Sequence, residues 1–131
     1  SQDRVRIEAE SITILLKNAR IGVIKIFGSE ALRIEIDKTP NLIRRFRLQS
    51  LTKYISKFIK LDNDIKKRAY ELFEIGFKTF DALHIACAEK AKVDVLLTTD
   101  DKIIKLYTRN QDAINIKIQN PVKWLEEFLL S

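Results

Sequence analysis

Apolar positions repeat at helical spacing over residues 4–20, where Ile12, Leu15, Leu16 and Ala19 fall at i, i+3, i+4 and i+7. Gly22 ends that helix, and Val23, Ile24, Ile26 and Phe27 form a short β-branched and aromatic strand. Gly28 and Ser29 turn the chain into a second helix, with Ser29 as its N-cap and Glu30 in its first turn. Thr39 and Pro40 open a third, Thr39 capping and Pro40 supplying the first-turn φ. Leu42, Ile43 and Phe46 share one face of this helix. Leu51, Tyr54, Ile55 and Phe58 continue the helical spacing but rotated around the axis, so a kink or break is expected near residues 47–50.

The second half alternates in the same way. Asp62 caps a helix over residues 63–75 that ends at Gly76, and Thr79 caps the next, over 80–91, with Asp81 in its first turn. Residues 93–98 are an almost unbroken apolar run, which suits a buried strand of a parallel sheet. Asp100 and Asp101 open a helix to residue 109, and Ile114, Ile116 and Ile118 alternate as a last strand. Asn120 and Pro121 then start a terminal helix with Val122, Leu125 and Leu129 on one face. Strands separated by helices, with no hairpin signal between them, predict an α/β protein. The expected architecture is a three-layer α/β/α sandwich with a mainly parallel sheet. No repeat is visible, and 131 residues make one domain the default.

Composition narrows the class. With 46% hydrophobic and 32% charged residues, the chain has the balance of a globular protein, and three Gly and two Pro leave little room for linkers. No apolar run approaches the roughly 18 residues of a membrane span. A single cysteine excludes an internal disulfide framework and fits a reducing compartment, so a cytoplasmic location is expected. The net charge of +6 is local: residues 41–60 hold Arg44, Arg45, Arg47, Lys53, Lys57 and Lys60 without one acid, and the remaining residues balance. This segment either lines a path for an RNA backbone, or faces an acidic protein, or is a solvated helix surface. No aromatic ladder interleaves the charges, so base-specific reading is not indicated.

Candidate chemistry lies where such folds place it, at the carboxyl ends of strands. Glu35 sits in the helix after the first strand, Asp81 in the first turn of a helix, and Asp100 directly after Leu96-Leu97-Thr98-Thr99. Carboxylates without His or Cys partners suit a hard cation, Mg²⁺ or Mn²⁺. Each acid also has a purely structural reading, since Asp at a helix start caps amides and Glu35 fits a solvated helix position. Asp62-Asn63-Asp64 lacks the Gly and the distal Glu of a calcium loop and reads as a cap. No G-x-G-x-x-G or G-x-x-x-x-G-K-[ST] occurs, which disfavours a nucleotide-binding Rossmann-like domain.

The stretch Phe80-Asp81-Ala82-Leu83-His84-Ile85-Ala86-Cys87-Ala88-Glu89, followed by Leu96-Leu97-Thr98-Thr99-Asp100-Asp101, resembles the signature of PIN-domain nucleases. Many of these are the toxin half of bacterial VapC-type toxin–antitoxin pairs. Ser29-Glu30-Ala31-Leu32-Arg33-Ile34-Glu35 resembles the family's second block, and the likeness runs to the Asn-Pro-x-x-Trp-Leu ending. The resemblance implies a Mg²⁺- or Mn²⁺-dependent endoribonuclease with Glu35, Asp81 and Asp100 as catalytic metal ligands. Asp101 is an adjacent candidate ligand, although it reads better as the helix cap. Thr98 or Thr99 would hydrogen-bond a ligand or phosphate, and His84 would orient a carboxylate or water or be a hydrogen-bonded structural residue. Cys87 reads as a small buried hydrophobe. Arg44, Arg45, Arg47, Lys53 and Lys57 would contact RNA, with an antitoxin protein as a rival anionic partner and a symmetric homodimer as a plausible assembly.

One family feature is missing. The resemblance implies a fourth acid at the end of an opening central strand, and Asp3 does not match it, because it lies in no apolar run. Together with the absence of Met, this is the expectation of an N-terminally incomplete PIN-like domain spanning residues 1–131, lacking roughly 15 to 20 residues upstream. Loss of a central strand exposes ladder groups on its neighbours, unless the gap closes or another chain fills it. The alternative function is accordingly a non-catalytic PIN-like module that binds RNA or a partner protein.

Overall fold

The computed structural model describes residues 1–131. The chain divides into two compact units, one formed by Lys25–Val93 and the other by Ser1–Ile24 with Asp94–Ser131. The architecture is helix-rich α/β, and every strand pair is parallel, as the alternation of strands and helices predicted. The strands form two separate two-stranded sheets, so each strand has a single sheet neighbour.

The middle unit begins with β1 (Ile26–Ser29), followed by α2 (Glu30–Asp37), α3 (Leu42–Leu51), a 3₁₀ turn (Thr52–Tyr54) and β2 (Ile55–Ile59); α4 (Asn63–Ile75) and α5 (Thr79–Ala91) complete it. Three local expectations are corrected. The strand after Gly22 starts later than residue 23, because Gly22 adopts φ +84° and the Val23 and Ile24 amides both turn back to the Asn18 carbonyl. Asn41, not Thr39, caps α3: its side chain accepts from the Arg44 amide at 2.8 Å. Residues 55–59 are a strand rather than more helix. Their β-branched and aromatic side chains suit a pleated surface, and β1 supplies the ladder in the register Ile26–Ile55, Phe27–Lys57, Gly28–Phe58 and Ser29–Ile59.

The core of this unit is the α4–α5 hairpin with α2 laid against α5. Ile65, Ala69 and Leu72 bury one stripe of α4, and Gly76, at φ +131°, lets the chain leave the helix. α5 answers with Ile85 and with the small residues Ala82, Ala86, Cys87 and Ala88, which allow close helix approach, and α2 adds Ala31 and Ile36. Across α4 and α5, Arg68 grips both oxygens of Glu89, at 2.7 and 3.0 Å.

In the terminal unit, α1 (Gln2–Arg20) packs on α7 (Pro121–Leu130), with Ser11, Leu15 and Leu125 buried. β3 (Leu96–Leu97) pairs with β4 (Ile118–Gln119), and α6 (Asp101–Arg109) lies between them in sequence. Ile114, Ile116 and Ile118 are buried in alternation as predicted, although only the last belongs to a ladder. Asn120 caps α7, accepting from the Val122 amide at 2.8 Å, and its amide donates to Glu8 of α1 at 2.7 Å. No helix is long and apolar enough to cross a membrane.

Candidate functional site

In the middle unit, two helices present the chemistry. Ser29 caps α2 through its hydroxyl, which accepts from the Leu32 amide at 3.1 Å, and Glu30 accepts the Leu61 amide at 2.9 Å. These bonds fix where α2 starts, and Glu35 emerges a turn and a half later on the helix that packs against α5. Asp81 stands in the first turn of α5, where the helix dipole favours a carboxylate. Thr79, read above as the cap, is instead the first helical residue, and the capping position, Lys78, offers no side-chain bond.

His84 lies one turn beyond Asp81, and its Nε2 is 2.9 Å from Glu35 Oε1. Its side chain is 21% exposed and that of Glu35 45%, so the pair sits at the edge of the core. The Phe80 ring stacks beside the imidazole at 6.3 Å between centroids. A contact between residues 49 positions apart therefore ties α2 to α5 through the very groups the sequence marked as candidates. Cys87, further along α5, is buried, and that burial raises its thiol above the ordinary cysteine range, as suits a packed hydrophobe.

The terminal unit places Asp100 and Asp101 at the start of α6, and the cap is Asp100 rather than Asp101, which the sequence reading favours. Asp100 is the N-cap: its Oδ1 accepts from the Lys102 amide at 2.9 Å, while its own amide donates to Thr98 Oγ1 at 3.1 Å. Asp101 is an ion-pair partner. Arg4 of α1 donates to both of its oxygens, at 2.6 and 2.7 Å, and also reaches the Thr99 carbonyl at 3.4 Å and Glu8 at 3.3 Å. The guanidinium holds the Asp101 carboxyl below the usual carboxylate range, and the two acids push Arg4 above its own. Asp62 caps α4 by accepting the Ile65 amide at 2.8 Å, and Lys90 stands 3.6 Å from Asp64, in keeping with the structural reading of Asp62-Asn63-Asp64.

As a donor set, Glu35, Asp81 and Asp100 are right in kind for Mg²⁺ or Mn²⁺, being hard oxygen ligands without a cysteine. In number each unit is incomplete: the middle one carries Glu35 and Asp81, the terminal one Asp100 and Asp101, and neither gathers three metal-binding side chains into one cluster.

The acid-free segment runs through α3, the 3₁₀ turn and β2. Arg44 and Arg47 are exposed on α3 and Arg45 is half-buried, while Lys53 and Lys57 follow in the turn and the strand, both exposed. None of these, nor Lys60, forms an ion pair with an acid. Lys53 lies over the Tyr54 ring at 5.3 Å and Lys57 over Phe27 at 5.7 Å. Sequence reasoning missed one element of this face: Phe58, exposed on β2, carries Arg33 of α2 over its ring at 5.6 Å. The available signal was an aromatic residue between Lys57 and Lys60 in a run without acids, which the helical reading of that run obscured.

Comparison with known families gives one result. A family model described as PIN domain matches residues 4–108, from the first turn of α1 to the last turn of α6. PIN domains are generally nucleases and generally use divalent metal ions. No curated protein and no solved structure matches the chain.

Proposed function

Because the chain belongs to the PIN-domain family, we propose that it is a metal-dependent endoribonuclease. The observation that supports this most is the contact of Glu35 with His84, one turn from Asp81 on α5. It brings α2 and α5 together through an acid and an imidazole at the helices that the family resemblance marks as catalytic. Glu35 and Asp81 in the middle unit and Asp100 in the terminal unit would be the ligands of Mg²⁺ or Mn²⁺, and Asp101, the residue after Asp100, is tied to Arg4. When bound, such an ion activates water and offsets the charge that develops on a phosphodiester under in-line attack.

The chain's own residues contribute positioning. His84 fixes the Glu35 carboxylate by a hydrogen bond, and Thr98 fixes the turn that presents Asp100. Arg44, Arg45, Arg47, Lys53 and Lys57 carry charge that no acid of the protein neutralises, which suits them to RNA phosphates with an affinity that falls steeply with salt. As a biological setting we propose the toxin of a cytoplasmic toxin–antitoxin pair, with an antitoxin protein as the competing partner of the basic face and a homodimer as the assembly.

A second reading is favoured by the incomplete ligand count in each unit: a non-catalytic PIN-like module that binds RNA or a protein. The two separate on Asp81→Asn in the intact protein. Under the nuclease reading this variant keeps its circular dichroism spectrum and melting temperature and loses Mn²⁺-dependent cleavage of single-stranded RNA. Cleavage by the variant at the wild-type rate overturns the ligand assignment.

A further inference from the structure

We propose that the groove beside Phe58 is a subsite for one unpaired nucleobase of single-stranded RNA, with Phe58 as its stacking platform. This rests on RNA as the substrate class and adds how the chain grips it.

The groove has a volume of about 340 Å³, at the small end of sites that hold a ligand, and its walls come from α2, α3 and β2. Three properties favour a base over other occupants. First, Phe58 is a large aromatic ring left 48% exposed in the wall of this groove. Arg33 already lies over that ring, so an aromatic and a guanidinium plane, the two surfaces on which bases stack, meet in one wall. Second, the floor is built to stay in place. Ile55 packs against the backbone of Gly28 so closely that a Cβ there would meet Ile55 Cδ1 at 2.5 Å. Third, the rim is polar: Gln49 donates to Asp37 at 3.4 Å, and Thr52 donates to the Gln49 carbonyl at 2.6 Å. These side chains border the groove with polar groups rather than further apolar surface.

Charge decides between nucleic acid and protein. Lys57 precedes Phe58 in β2 and so faces the other side of the strand, over Phe27, whereas Lys53, next to the groove-lining Thr52 in the turn before β2, offers charge to a flanking phosphate. Asp37, the one acid lining the groove, is engaged by Gln49, and Arg33 keeps Glu30 at 3.4 Å while covering the ring. An acidic peptide would satisfy the lysines but would gain nothing specific from a flat ring backed by a guanidinium. Each base, in contrast, has a π face that can stack on an aromatic side chain.

The test is fluorescence anisotropy of the intact protein in EDTA, which separates binding from cleavage. The probes are a labelled single-stranded RNA, an oligomer of the same length and charge lacking bases, and poly-glutamate as competitor. Wild-type protein is expected to bind the RNA more tightly than the base-free oligomer. Phe58→Ala is expected to weaken RNA binding about tenfold with little change for the base-free oligomer, and Phe58→Tyr, which keeps the ring, to bind as wild type. Equal affinity of wild type for both oligomers, or unchanged RNA binding by Phe58→Ala, overturns the subsite. Poly-glutamate binding that depends on Phe58 while RNA binding does not overturns it in favour of an acidic protein partner. RNA binding with this pattern but without cleavage on adding Mn²⁺ upholds the subsite and refutes the nuclease reading alone.

Discussion

Removing one partner of the Arg68–Glu89 pair tests how α5, the helix that carries Asp81 and His84, is held. Glu89 is 8% exposed and Arg68 25%, and two charge-assisted bonds of 2.7 and 3.0 Å join them. Glu89→Gln keeps the shape and one acceptor but removes the charge and sets an amide N–H₂ against a guanidinium donor. Hydrogen bonds to charged groups contribute roughly 1.5–3 kcal/mol each, and breaking a fully buried pair costs about 3–5 kcal/mol. Because Arg68 also bonds Glu71 at 3.0 Å and is partly solvated, the expected loss lies at the low end, about 2 kcal/mol. With a urea slope of about 1–3 kcal/mol/M, the unfolding midpoint should fall by roughly 1 M. The double variant Arg68→Met/Glu89→Leu, which leaves no buried charge, should recover most of that loss. An unchanged midpoint in Glu89→Gln, or additive losses in the double variant, would refute the reasoning.

Two further outcomes follow from the packing and the charges. Gly28→Ala places a methyl group 2.5 Å from Ile55 Cδ1, so calorimetry should show a loss of about 1–3 kcal/mol, relieved in part by Ile55→Val, which deletes that atom; full stability in Gly28→Ala would contradict the close approach. Arg4 holds the Asp101 carboxyl below its ordinary range, so the pair supports folding at neutral pH and is lost as the pH falls through the depressed value. Carboxyl NMR titration should therefore show Asp101 titrating below the ordinary aspartate range and rising towards it in Arg4→Gln, and an Asp101 that titrates as a free carboxylate in wild type would contradict the pairing.

Much of the fold was legible where the signal was local. Ser29, Asp62 and Asn120 cap the helices that their positions announced, because a side-chain oxygen next to an apolar-periodic run has one obvious donor to accept from. Residues 55–59 were not legible, since Leu51, Tyr54, Ile55 and Phe58 match helical spacing as well as they match a strand. What decided the matter was a ladder to β1, whose partners lie 29–30 positions away. The acids of the candidate site could be read by residue type and by likeness to the PIN domain. The bond between Glu35 and His84 and the stacking of Arg33 on Phe58 could not, because both depend on how α2 meets elements distant in sequence. That Asp100 rather than Asp101 caps α6 has a similar cause: an arginine on α1 claims the second acid and leaves the first to cap the helix.

The most direct measurement of the central claim is cleavage of a labelled single-stranded RNA by the intact protein before chelation, after EDTA, and after Mn²⁺ is restored. The account expects internal cuts that EDTA abolishes and Mn²⁺ returns. Cleavage that survives chelation, or RNA left whole in the presence of Mn²⁺, would contradict it.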